Sequence, residues 1–247
     1  CSRRLGGFAS PGDYATFNFP PPSRHNLPAF AATHPVTGEE LSANQNYTYW
    51  LLDAIKSMDP QINTDVEGSG ILRALFEGLM NEDQVGELVP GVATGFDISD
   101  DKTTYTFHLR DSAKWSNGEP VTAQDFVYAW RRLANPEFAS EYAWYIELMQ
   151  VVNATEVIAG EKPVDELGVR AVDDHTFEVK ITAPLPYFPS MTTHASVFPV
   201  SQAVVEANGD TWTEAGKLVG NGAYVLVEHI LGEKVVMKRN PLYWDNE

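Results

Sequence analysis

Residues able to do covalent chemistry are scattered through this 247-residue chain without the spacings such chemistry needs. Gly68-Ser69-Gly70 sets a serine between glycines, but the Gly-x-Ser-x-Gly spacing of a nucleophile elbow is absent. No run matches a phosphate-cradling loop or a dinucleotide fingerprint. The histidines (His25, His34, His108, His175, His194 and His229) lack the i, i+4 pairing of a zinc helix. His175 follows Asp173-Asp174, a combination that could suggest a metal; between two apolar alternating runs the same residues make a hairpin turn, and that is the expectation. With 34 acidic side chains, close carboxylate pairs must occur somewhere, so a glycosidase-type pair cannot be read from sequence. Catalytic residues, metal ligands and cofactors are therefore all expected to be none. What remains is non-covalent binding.

Charge and composition narrow the partner. The net charge of −17 would be repelled by nucleic acid and by an anionic membrane surface. It reads either as a solvating surface or as a bias toward cationic ligands. At 43% hydrophobic residues the chain is globular, and a chain this long can bury about three quarters of its unfolded surface. No apolar run approaches the ~20 residues of a membrane span. Cys1 is the single cysteine, which excludes an internal disulfide.

The elements that must position a site are clearest between Tyr105 and Leu133. Tyr105, Phe107 and Leu109 alternate with polar residues as in a half-buried strand, and Asn117-Gly118 supplies a turn. Thr122 with Asp125 forms a variant capping box, Val121 and Phe126 a hydrophobic staple, and Phe126, Val127, Trp130 and Leu133 one helix face. Arg131 and Arg132 sit in the last turn before Asn135-Pro136 ends the helix. Upstream, residues 46–56 are predicted to enter a first strand, and Ile71, Leu72, Leu75, Phe76, Leu79 and Met80 have the spacing of a core-facing helix. Downstream, a helix over 152–159 ends at Gly160, hairpins span 169–181 and 223–239, and Ser201 can cap a helix reaching Ala207. Interleaved helices and hairpins predict an α/β chain with mixed sheets and α+β features. Residues 1–45, with Pro11, Pro20, Pro21, Pro22, Pro28 and Pro35, predict an irregular extension.

Several of these segments also carry a resemblance. Phe107-His108-Leu109-Arg110, Ala113-Lys114-Trp115-Ser116-Asn117-Gly118 and Pro120-Val121-Thr122-Ala123-Gln124-Asp125-Phe126 resemble, in this order, the signature of oligopeptide-binding proteins of ABC importers (periplasmic solute-binding proteins of the family 5 type). Leu75-Phe76-Glu77-Gly78-Leu79, Asn221-Gly222-Ala223-Tyr224 and Asn240-Pro241-Leu242-Tyr243-Trp244 fit the same family, and the likeness covers roughly 47–247. It implies a type II periplasmic-binding-protein-like lobe with an added subdomain. The second lobe is absent and would follow Glu247, making this the N-terminal portion of such a protein. Within the lobe, 46–76 plus 201–247 are expected to form a discontinuous ligand-binding subdomain and 77–200 an inserted one.

The resemblance carries over few site residues. Thr64-Asp65-Val66-Glu67-Gly68 matches the family loop whose backbone pairs with the peptide, with Val66 its best-matching residue; Tyr142 matches a tyrosine lining the ligand cleft. Thr64 and Asp65 stand where peptide binders often have Glu and Gly, a change expected to alter pocket charge more than backbone pairing. Val66 could equally be a buried strand end and Tyr142 a core aromatic. Trp144, Tyr145, Trp115 and Trp130 read as packing residues. The implied partners are an oligopeptide and the importer's membrane subunits, with the protein a monomer on the periplasmic or extracellular side. Cys1 is either the lipidated residue that lipoprotein processing leaves or a boundary that happens to fall at Cys. Alternatives are another solute on the same fold (a murein peptide, a metal chelate, a sugar) or a scaffold lobe without a small ligand.

Overall fold

The computed structural model describes residues 45–246 together with Gly38. The extension expected over residues 1–45, and with it Cys1, otherwise lies outside the described residues.

The best-packed element is α2 (Ala123–Ala134), and its local chemistry explains its limits. The Asp125 carboxylate accepts from the Thr122 N–H at 2.8 Å and from Thr122 Oγ1 at 3.1 Å, closing the capping box. Asn135 caps the other end, as the sequence predicts. The buried face is Phe126, Val127, Trp130 and Leu133, each side chain contributing roughly 1.5–3 kcal/mol by leaving water. It covers a four-stranded antiparallel sheet of β3 (Ala93–Ile98), β4 (Thr104–Leu109), β5 (Val169–Asp173) and β6 (Thr176–Lys180), ordered β3-β4-β6-β5. Phe177 of β6 meets the rings of Phe126 at 5.6 Å and Trp130 at 5.3 Å. The β5–β6 turn closes as expected, with Asp173 accepting from the His175 N–H at 2.8 Å and from Thr176 Oγ1 at 3.0 Å.

Two further hairpins pair β1 (Met80–Glu82) with β2 (Leu88–Pro90) and β7 (Tyr224–Ile230) with β8 (Lys234–Arg239). Short helices α3 (Ala143–Leu148), α4 (Ala154–Ile158) and α5 (Phe188–Met191) pack around the sheet and α2, and α6 (Gln202–Asn208) leads toward the last hairpin. The chain is mixed α/β as expected, but every strand pairing among the described residues is antiparallel, so its sheets are not mixed in direction.

Two expectations at the N-terminal side need correction. Helix α1 (Val66–Leu75) stops well before Met80, although all six residues of the predicted stripe are buried. Its last turn is captured from across the chain: the Gly222 N–H donates to the Leu75 carbonyl at 2.9 Å. Asn221 Oδ1 accepts from the Glu77 N–H at 3.0 Å, while its Nδ2 donates to the Glu77 carbonyl at 2.9 Å. These bonds replace the helical ones, so the backbone turns out into β1. Residues 46–56 form no strand. Asp53 accepts from the Ala54 N–H at 2.7 Å and Asp65 from the Lys56 N–H at 3.1 Å, so side chains take donors that a ladder would need. The segment instead runs past the tip of the β7–β8 hairpin.

Candidate functional site

Between the N-terminal end of α1 and the segment after α5 lies an open cleft of about 340 Å³. One wall is the face of α1 formed by Val66, Ser69, Gly70 and Arg73, spaced i, i+3, i+4, i+7, with Thr64 and Asp65 at its mouth. The other wall is Tyr142, His194, Ala195 and Ser196. The structure thus brings together all four residues singled out from sequence: Thr64, Asp65, Val66 and Tyr142.

A buried polar network holds these walls in place. Arg132 of α2 donates to both Asp59 oxygens at 2.9 and 2.6 Å and to Gln61 Oε1 at 2.8 Å. The Gln61 amide donates to the Phe198 carbonyl at 3.0 Å, and the Gln61 carbonyl accepts from Ser140 Oγ, which in turn accepts from the Tyr142 N–H at 3.0 Å. One residue, Gln61, therefore ties together the loop before α1, the Tyr142 turn and the segment carrying His194, through its main chain and its side chain together. Buried amides and an ion pair tolerate little displacement, because each lost bond leaves a desolvated group.

Within the cleft the residues do different work. Asp65 is the N-cap of α1: Oδ1 accepts from the Gly68 N–H at 2.5 Å, and Oδ2 accepts from Asn63 Nδ2 at 2.9 Å and from the Lys56 N–H. Its carboxylate therefore holds the start of α1 in addition to lining the cleft mouth. Val66 is the first helical residue and 84% exposed, so the buried strand-end alternative fails. As the first residues of the helix, Val66 and Glu67 have N–H groups with no acceptor inside it. Tyr142 is half-buried rather than a core aromatic; its ring lies 5.0 Å from the His194 ring and stacks on Trp144 at 5.8 Å. Trp144 does pack, but from the solvent side, being 51% exposed. Tyr145 donates to the Met191 carbonyl at 3.0 Å, and burial pushes its phenol up to about 12. Trp115 and Trp130 are core residues, as expected.

His194 is fixed by Ser196, whose N–H donates to Nδ1 at 3.2 Å while Ser196 Oγ lies 2.8 Å from the same nitrogen. Burial first, then the charge of Arg73, hold its pKa below the ordinary histidine value, so the ring is neutral near pH 7. With Nδ1 accepting, the proton of the neutral ring sits on Nε2. Sequence reasoning missed His194, Ser196 and Arg73. Arg73 was findable, since it lies i+7 from Val66; His194 arrives only through tertiary packing.

A second cleft next to this one, sharing Arg73, is built on Glu77, which accepts from Asn81 Nδ2 at 2.7 Å, Tyr243 Oη at 2.6 Å and Trp244 Nε1. Arg110 stacks over the Trp244 ring, 3.3 Å from its centre. This cluster fastens residues 243 and 244 to the end of α1. Among the described residues there is no group of His, Cys, Asp and Glu able to hold a metal ion, and no helix long and apolar enough to cross a membrane.

The same arrangement of elements recurs in solved structures. The Escherichia coli murein tripeptide binding protein MppA superposes with a TM-score of 0.77 at 47% identity, over 79% of this chain and 38% of that one. Haemophilus influenzae OppA in complex with the peptide RPPGFSPFR gives 0.77 at 49% identity, over 78% of this chain and 38% of that one. The fold is thus that of part of a solute-binding protein. Residues 87–247 match the model for bacterial extracellular solute-binding proteins, family 5 Middle, and the chain belongs to that family. Among curated relatives, the periplasmic oligopeptide-binding protein OppA of Salmonella typhimurium is 49% identical over 192 residues, 78% of this chain and 35% of the relative. The periplasmic murein peptide-binding protein MppA of Escherichia coli is 45% identical over 218 residues, 88% of this chain and 40% of the relative. The chain therefore spans well under half the length of either protein.

Proposed function

We propose that this chain forms one side of the ligand site of an extracytoplasmic binding protein that presents oligopeptides to an ABC importer and does not transform them. The observation that carries this reading is the cleft that gathers Thr64, Asp65, Val66 and Tyr142 beside the outward-facing first turn of α1. An extended peptide presents backbone N–H and C=O groups whatever its sequence, and a binder of many peptides should meet those groups with its own main chain. Unpaired N–H groups at Val66 and Glu67 suit a peptide carbonyl, and the Tyr142 ring beside them suits a side chain in a wet, roomy pocket. Residues 46–76 with 201–247 would form the ligand-binding subdomain and 77–200 the inserted one; packing of β7 on α1 and of the four-stranded sheet on α2 supports that division.

Similarity to the oligopeptide-binding and murein peptide-binding relatives supports a peptide ligand, and the latter makes a murein peptide the second reading. Calorimetric titration of the intact protein with short peptides of mixed sequence tests the proposal. Saturable heat is expected. No heat with any peptide, together with a different solute found by native mass spectrometry, contradicts it.

A further inference from the structure

We propose that the peptide cleft contains a subsite for one acidic side chain, with Arg73 as its cation and His194 as a neutral second donor. The inference rests on the peptide-binding reading above and adds a specificity to it.

The geometry begins with α1. Val66, Ser69, Gly70 and Arg73 share the cleft face, and at Gly70 an added Cβ would meet nothing within 4 Å. The middle of this face is therefore open, and Arg73 stands at its far end. Arginine usually finds an acceptor when the fold has one to spare, because its planar fork matches a carboxylate with two parallel bonds. Here none of the carboxylates lining either cleft pairs with it. Asp65, the cleft's own acid among the described residues, accepts from three donors of its own loop and helix. Glu77, in the adjoining cleft, is taken by Asn81, Tyr243 and Trp244. Glu82 and Asp245 line that adjoining cleft too, but neither makes an ion pair with Arg73. Among the described residues, no hydrogen bond or ion pair reaches the Arg73 guanidinium.

The opposite wall adds a donor and no competing charge. Ser196 takes up His194 Nδ1, which leaves the N–H on Nε2. Thr64, in the mouth, is neutral. In a protein of net charge −17 the two walls thus offer a guanidinium and an imidazole N–H that no acid lining either cleft pairs with. A glutamate or aspartate side chain supplies what is missing, and a lysine side chain does not.

Alanine tripeptides carrying Glu or Gln at each position in turn, titrated calorimetrically into the intact protein, test the subsite. At one position Glu is expected to bind about tenfold more tightly than Gln, the scale of a charge-assisted pair in a partly wet cleft. Arg73→Gln should bring that ratio to about one and Arg73→Lys should retain part of it. Arg170→Gln, which removes the same charge from the exposed Arg170–Glu178 pair on the sheet, should leave the ratio in place. If the peptides bind with a ratio near one at every position, or the preference survives Arg73→Gln, the subsite is overturned and peptide binding stands. If no peptide of the set binds, the peptide reading fails and takes the subsite with it.

Discussion

Asp65 and Glu77 are carboxylates at opposite ends of one helix, and their surroundings set them to different tasks. Asp65 is engaged by the Gly68 and Lys56 backbone N–H groups and by the Asn63 amide, and it fixes the start of α1 at the cleft mouth. Glu77 is 4% exposed, and burial raises its pKa above the ordinary value of 4.5 despite the lowering effect of Tyr243, Trp244, Asn81 and Arg110. The sign follows from linkage: the folded state holds this proton more tightly than the unfolded chain does. Glu77 therefore contributes stability that is complete below pH 4.5 and is lost as the pH rises through its folded value. Glu77→Gln cannot ionise, so the difference in urea-unfolding free energy between wild type and variant should shrink as the pH rises from 4.5 toward neutrality. A difference that stays constant, or widens, over that range would contradict the assignment.

At the scale of elements, α2 is the part that could be read directly. Its cap, apolar face and stop are all local, and the structure shows each of them. The hairpins were legible for the same reason, since alternation and turn residues lie within a few positions of one another. The end of α1 and the fate of residues 46–56 were not. Asn221 and Gly222 reach Leu75 and Glu77 across more than half the chain, and no window of sequence near α1 records that capture. Half of the candidate site was legible through Val66 and Tyr142, because a family motif marks them; the wall with His194 and Ser196 depends on Gln61 and Arg132 holding distant segments together. That dependence is measurable. The Arg132 and Asp59 side chains are only 11% and 3% exposed, so Arg132→Ala leaves a buried carboxylate unpaired and should cost about 3–5 kcal/mol in denaturant unfolding. A cost below about 1 kcal/mol, the value of a surface pair, would mean that the network does not hold the cleft.

For the whole molecule, these pieces share one packed body. One continuous core runs from Ile55 to Met237, and the cleft sits on its surface with walls drawn from parts of the chain more than a hundred residues apart. On the proposed peptide-binding reading, walls fixed in this way would be prepared before the ligand arrives, which lowers the entropy lost on binding. Its selectivity would come from side chains such as Arg73 and Tyr142, and its breadth from main-chain groups at the start of α1. Hydrogen exchange of the intact protein, with and without a saturating short peptide, tests this most directly. Bound peptide should slow exchange at the amides of Val66 and Glu67 and in the turn at Tyr142, while amides in β7 and β8 remain unchanged. A peptide that binds yet leaves the Val66 and Tyr142 segments exchanging at their free rates would place the ligand site elsewhere.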